Sequence, residues 1–169
     1  MIFMKRRDSS GRRNNDSDYK EALQRAASLC SKQEQCTGHI REKLKMWNVA
    51  EAESEIIIKN LQQEKFLDDS RFATYYVKDK FRFNRWGKIK ITHMLRQKGI
   101  GEDYIQNALE QIDDELYFQT CVELLKGKSV GLKDKNPFAR KGKLYRYGAG
   151  RGFEPDLIHR AMNAITGGY

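Results

Sequence analysis

Apolar residues recur along the chain at spacings of three and four, as in Ile57, Ile58 and Leu61, in Ile105, Leu109 and Ile112, and in Leu157, Ile158, Met162 and Ile165. That period lines one face of a helix. No stretch reads as a strand, and only two prolines interrupt the chain. The pattern predicts helices in three triplets: 19–33, 37–47 and 50–65; then 69–83, 86–98 and 102–114; then 116–127, 137–147 and 155–166. The triplets resemble one another. Leu44–Val49 (LKMWNV), Leu95–Ile100 (LRQKGI) and Gly148–Phe153 (GAGRGF) each end in an apolar landmark, at 49, 100 and 153, and the apolar residue twelve further on is Leu61, Ile112 and Ile165.

Turn chemistry fits this division. Asn48 with Glu51 reads as a capping box, Pro155 suits a first helical turn, Asn136 with Pro137 opens a helix, and Gly99 and Gly152 suit the left-handed residue that closes one. Three helices in about fifty residues bury little alone, so neighbouring triplets must stack. The expected fold is all-α: an elongated, curved array of three tandem three-helix repeats over 19–68, 69–115 and 116–169, after a flexible basic tail over 1–18. Residues 127–135 (GKSVGLKDK) are the expected flexible connection, and glycines at 142, 148, 150 and 152 point to a loosened third repeat. Phe66, Phe72, Tyr75 and Tyr76, around the first repeat boundary, are expected to pack in the core.

Eighteen aromatic residues can anchor a core even though 33% of the 169 residues are charged. No apolar run approaches the roughly 18 residues of a membrane span. Lys5, Arg6 and Arg7 follow a very short apolar start, the reverse of a secretory signal, so a cytoplasmic location is expected. Cys30, Cys36 and Cys121 form an odd set without a CxxC pair and read as small core residues rather than disulfide or zinc ligands.

The formal net charge of +9 is unevenly spread, at +2, −1, +2 and +6 over residues 1–18, 19–69, 70–119 and 120–169. Two tracts carry it. Lys78–Lys98 opposes eight bases to Asp79, and Lys126–Arg151 opposes nine to Asp134, with Phe138, Tyr145 and Tyr147 interleaved. Such tracts suit a polyanion or a strongly acidic protein surface.

Candidate chemistry is sparse. The run Gly148–Phe153 lacks the third glycine of a dinucleotide loop and follows no strand, and no GxxxxGK[ST] run exists. Asp68–Asp69 and Asp113–Glu115 lie at helix junctions, where carboxylates cap. His39, His93 and His159 occupy different places in their triplets and lack partners at ligand spacing. Neither catalysis nor a cofactor has residues to rest on. A helix-turn-helix reading of DNA is disfavoured, because the would-be recognition helices open on Glu51, Glu53 and Glu55 and on Glu102 and Asp103.

Phe66-Leu67-Asp68-Asp69-Ser70-Arg71-Phe72-Ala73, then Tyr76-Val77, Trp86-Gly87 and Leu95-Arg96-Gln97-Lys98-Gly99-Ile100 resemble the RecX family of recombinase regulators. The likeness extends more loosely over 19–166 through Thr37, Ile40, Leu44 and Arg151-Gly152-Phe153, while Gly148 departs from the leucine at the matching positions 44 and 95. The resemblance implies a bacterial cytosolic, non-enzymatic modulator of RecA, active in recombination, DNA repair and the SOS response. It would lodge in the groove of the RecA filament on single-stranded DNA, oppose filament growth, and lower ATPase, strand-exchange and repressor-cleavage activities.

Local chemistry, rather than the resemblance, supplies the contact candidates: Arg82, Arg85, Trp86, Lys88, Lys90, Arg96 and Lys98 in the first tract, and Arg140, Lys141, Lys143, Arg146 and Arg151 in the second. The expected partners are the RecA filament and, weakly, single-stranded DNA, with no membrane and the protein a monomer. The rival reading is a general helical nucleic-acid-binding protein acting on naked DNA, with Trp86 or Tyr147 stacking on bases.

Overall fold

The structure, a computed structural model, describes residues 10–133 and 136–166, with side chains over 18–133 and 136–165. These residues form α-helices and no strand: α1 (Ser10–Lys32), α2 (Thr37–Met46), α3 (Glu51–Gln63), α4 (Asp69–Arg82), α5 (Lys88–Gln97), α6 (Glu102–Leu109), α7 (Asp114–Val130), α8 (Pro137–Arg151) and α9 (Pro155–Thr166). The chain divides into two units, one ending at Asp69 and one beginning at Ser70.

In the first unit α1, α2 and α3 pack pairwise. Ala22 and Ala26, four apart, give α1 a small-residue face, and Ile40, Leu44, Ile57, Ile58, Leu61 and Leu67 fill the space it leaves. Arg25 lies 4.3 Å over the Trp47 ring. Asp69 caps α2, its carboxylate accepting the Thr37 N–H at 2.8 Å.

The second unit contains the other helices, with α7, α8 and α9 mutually packed and α5 against α6. Its core draws on Ala73, Val77 and Phe81 of α4, Ile91 and Leu95 of α5, Ile105 and Leu109 of α6, Cys121 and Leu125 of α7, Leu144 of α8, and Ile158 and Met162 of α9. The spacing of three and four that predicted the helices is the spacing that is buried.

The three landmarks close their helices identically. Asn48, Gly99 and Gly152 have φ of 58°, 76° and 88°. The N–H of the landmark that follows reaches back six-to-one: Val49 to the Leu44 carbonyl at 3.1 Å, Ile100 to Leu95 at 3.1 Å and Phe153 to Gly148 at 3.2 Å. The left-handed residues themselves bond to Lys45, Arg96 and Ala149. This Schellman pair satisfies carbonyls that a helix end otherwise leaves open, and drives the landmark side chain inward.

Several expectations are corrected. Asn48 is not the cap of α3: it closes α2, and α3 starts from Ala50 with no side-chain cap. Asparagine tolerates the left-handed region, so it takes the place that glycine holds in the later triplets. α1 begins at Ser10 rather than Tyr19, because a proline-free polar stretch can extend a helix whose following turns are packed; the remainder of the expected tail, 1–9, lies outside the described residues. α6 stops at Leu109, not 114, leaving Asp113 to cap α7 by accepting the Leu116 N–H at 2.8 Å. α7 continues to Val130, which shortens the connection expected over 127–135; residues 134 and 135 lie outside the described residues. The reason is Arg140, whose guanidinium donates to the Ser129 and Leu132 carbonyls at 2.8 and 3.4 Å.

The glycines do not interrupt α8. It is one continuous helix, and buried Gly148 makes room for Ile158, whose Cγ1 lies 3.0 Å from where a Cβ would stand. Of the aromatics expected in the core, Phe66 and Tyr75 are exposed at 41% and 57%, while half-buried Phe72 and Tyr76 stack at 5.7 Å. The inward line of α4 is Ala73, Val77 and Phe81, which leaves Tyr75 facing away. Cys36 and Cys121 are buried as expected, whereas Cys30 is half-buried.

Candidate polyanion-contact surface

The two basic tracts meet in the second unit through backbone. α5 starts from Gly87 with no side-chain cap. Its open donors are met from elsewhere: the Gly87 N–H donates to the Arg151 carbonyl at 2.8 Å, the Ile89 N–H to the Gly152 carbonyl at 3.1 Å, and the Lys88 N–H to the Tyr117 hydroxyl at 2.8 Å. The carbonyl end of α8 thus faces the N–H end of α5, which also opposes the two helix dipoles favourably. Side chains are excluded there. A Cβ on Gly87 would stand 2.1 Å from the Gly152 oxygen, and one on Gly152 2.3 Å from the Lys90 Cβ.

Tyr117 completes the joint. Its ring packs between Phe81 and Phe153, at centroid distances of 5.8 and 5.2 Å, and its hydroxyl donates to Glu154 at 2.8 Å. Burial holds that hydroxyl protonated well above the usual tyrosine range; the Lys88 N–H opposes this and the Glu154 carboxylate adds to it. Burial likewise pushes the neighbouring Cys121 thiol up to about 11, with Glu154 again adding.

Most of the candidate cations already have partners. Arg85 lies 3.7 Å from Glu123 and Lys88 3.3 Å from Asp114. Lys90 donates to the Gly150 carbonyl at 3.5 Å and lies 4.6 Å over the ring of half-buried Trp86. Arg96 is bidentate to Glu102 at 2.9 and 2.7 Å, an arrangement that holds the Glu102 carboxyl below its usual range. Lys98 lies 5.8 Å over Tyr76. Arg140 ties down the end of α7, and Arg151 donates to the Asn84 carbonyl at 3.0 Å and the Tyr147 hydroxyl at 3.4 Å. Lys143 is exposed. Arg82, Lys141 and Arg146 are exposed and have no partner among the described residues.

An ion pair at the surface is worth little, but it must be exchanged before its cation can meet a phosphate or carboxylate elsewhere. Arg82, Lys141 and Arg146 are therefore the members that can neutralise an external anion at least cost. Arg140 serves structure first, and Trp86 closes α4, its N–H bonding to the Lys80 carbonyl at 3.1 Å.

Sequence reasoning missed Gly87 and Tyr117 as the joint. It also missed Phe83 and Lys128, which with Arg85, Tyr147 and Arg151 line an open groove of about 530 Å³. Phe83 was detectable: Phe81 and Phe83, two apart at a helix end, cannot share a face, so one of them must be exposed. Among the described residues no group of three or more His, Cys, Asp or Glu is arranged to hold a metal ion, and no helix is long and apolar enough to cross a membrane.

Comparison with known proteins bears on this arrangement. Residues 68–109 match the family described as RecX, second three-helix domain, and residues 114–162 the RecX, third three-helix domain. The chain is 31% identical over 150 residues to Regulatory protein RecX of Chlorobium phaeobacteroides (strain BS1), covering 89% of this chain and 97% of that protein. It is 30% identical over 168 residues to Regulatory protein RecX of Thermotoga petrophila, covering 99% of each. A crystal structure of regulatory protein RecX superposes with a TM-score of 0.84 at 24% identity, covering 96% of this chain and 81% of that one. The crystal structure of RecX from Lactobacillus salivarius gives 0.82 at 20% identity, covering 89% and 98%. With both family domains in register and a relative matched nearly end to end, the chain belongs to the RecX family.

Proposed function

We propose that this protein is a non-enzymatic regulator of the RecA recombinase. It binds in the groove of the RecA filament on single-stranded DNA as a cytoplasmic monomer and obstructs addition of further subunits. Filament growth, ATPase, strand exchange and co-protease activity fall together, because all depend on the extended filament. Recombination, DNA repair and the SOS response are modulated in turn. The three-helix repeats over 19–68, 69–115 and 116–169 are, on this reading, successive rests along the filament.

The observation that carries the proposal is the backbone joint between α5 and α8. It fixes two basic tracts, separated by 27 residues in sequence, on one unit. Such a surface can meet DNA phosphate and acidic protein side by side. A reader of naked duplex DNA is less well supported, since α6 opens on Glu102 and Asp103 where phosphates would be repelled.

The test reverses the three partnerless cations together, as Arg82→Glu, Lys141→Glu and Arg146→Glu, and follows inhibition of a cognate RecA's DNA-dependent ATPase. The half-inhibiting concentration is expected to rise at least tenfold while helical circular dichroism stays unchanged. Undiminished inhibition by a folded triple variant would remove these residues from the contact surface.

A further inference from the structure

The groove between the α4–α5 turn, α7 and α8 draws its lining from both tracts. Phe83 stands at its edge with 82% of its surface exposed, a costly display for an aromatic side chain that touches no described cation or ring. Around it are Arg85, Lys128 and Arg151, with Glu123 as the one acidic lining residue. Arg151 is held in place from both terminal nitrogens, by the Asn84 carbonyl and the Tyr147 hydroxyl. Lys128 and Arg151 lie 5.1 and 5.5 Å over the Tyr147 ring, so that ring orients cations rather than offering a vacant face. The groove is open to solvent, which suits an extended chain better than an enclosed small molecule.

We propose that this groove is a single-nucleotide subsite for single-stranded DNA, in which Phe83 stacks on a base while Lys128 and the prepositioned Arg151 hold the adjoining phosphate, Arg85 joining them by exchanging Glu123 for it. The inference rests on the reading above only in taking a strand of DNA to be within reach; it adds which residues touch it and how. An unpaired ring beside three cations is the combination that binds single strands without sequence preference, because every base has a π-face and every linkage a charge. An acidic peptide would use the cations alone and leave Phe83 without a role.

The test is fluorescence anisotropy of a labelled oligo(dT) with the full-length protein across a salt series, repeated with an oligomer of abasic sugar-phosphate. Phe83→Ala is expected to weaken oligo(dT) binding by about fivefold or more, the range set by base–aromatic stacking, without changing the salt slope. Phe83→Tyr should restore binding, and the abasic oligomer should be indifferent to both. Lys128→Ala should instead lower the salt slope by about 0.7, the value for one phosphate contact on a single strand. Equal weakening on oligo(dT) and abasic strand, or no weakening on either, would overturn the subsite. If Phe83→Ala spares oligo(dT) binding but relieves inhibition of RecA, the groove meets protein and the inference fails while the proposed function stands. If Phe83→Ala weakens oligo(dT) binding and the wild-type protein does not inhibit RecA at all, the proposed function fails and the subsite stands.

Discussion

Gly87→Ala isolates the joint between α5 and α8. Gly87 has φ −76° and ψ 164°, an extended conformation that alanine adopts freely, so nothing is lost in its own backbone. The whole effect is steric. The new methyl would lie 2.1, 2.3 and 2.4 Å from the Gly152 oxygen, the Gly152 carbonyl carbon and the Phe153 nitrogen, all main-chain atoms that no rotamer can move. The end of α8 must withdraw, breaking the bonds from Gly87 to Arg151 and from Ile89 to Gly152. Two such bonds are worth about 2 kcal/mol, and forced displacement in packed surroundings adds about 1–3 kcal/mol, for a loss of roughly 3–5 kcal/mol. Urea unfolding followed by helical circular dichroism measures it. Gly99→Ala is the control, since its φ of 76° strains alanine by about 1–2 kcal/mol while no atom lies within 4 Å of the new methyl. A Gly87→Ala loss below about 1 kcal/mol, or one no larger than that of Gly99→Ala, would refute the steric argument.

Three further outcomes follow from the same geometry. Tyr117→Phe removes the hydroxyl that accepts the Lys88 N–H and donates to Glu154, and should cost about 1–3 kcal/mol in the same urea experiment; a change under 0.5 kcal/mol would mean that water replaces it. An aromatic disulfide reagent at pH 8 should modify Cys30 quickly in the native protein, and Cys36 and Cys121 only as it unfolds, since those two are buried and the Cys121 thiol is pushed up to about 11; rapid modification of all three would contradict the core. The Glu102 carboxyl is held below its usual range by the Arg96 hydrogen bond, so its contribution is present above the unfolded carboxylate pKa and fades as pH falls through the folded one. Glu102→Gln should therefore lower stability slightly at neutral pH, leave it unchanged in acid where the carboxyl is protonated in both states, and so flatten the acid limb below about pH 5; an unaltered acid limb would show the pair to be inert.

Helices were legible because each has a narrow apolar face at regular spacing, and the landmarks because only certain residues can follow a left-handed one. Gly99 and Gly152 declared their conformation from the sequence; Asn48 did not, since asparagine both caps helices and closes them, and a glutamate three residues on favours the wrong choice. Helix ends set by distant partners were illegible: nothing in the sequence around 127–135 announces that Arg140 will return to hold the Ser129 carbonyl. The candidate surface was half legible. Charge density along the chain located both tracts, but the pairing of Arg96 with Glu102 and of Arg85 with Glu123 is tertiary, and so is the selection of Arg82, Lys141 and Arg146 as partnerless. The joint itself depends on two glycines more than sixty residues apart: Gly87 because the Gly152 carbonyl lies against it, and Gly152 because Lys90 does.

The most direct measurement is the single-stranded-DNA-dependent ATPase of a cognate RecA, titrated with this protein at moderate salt and with DNA in excess, which removes competition for lattice. A protein that blocks filament growth should inhibit well below one molecule per recombinase subunit. Inhibition that begins only when the DNA itself is saturated would contradict a filament regulator and leave a basic single-strand binder in its place.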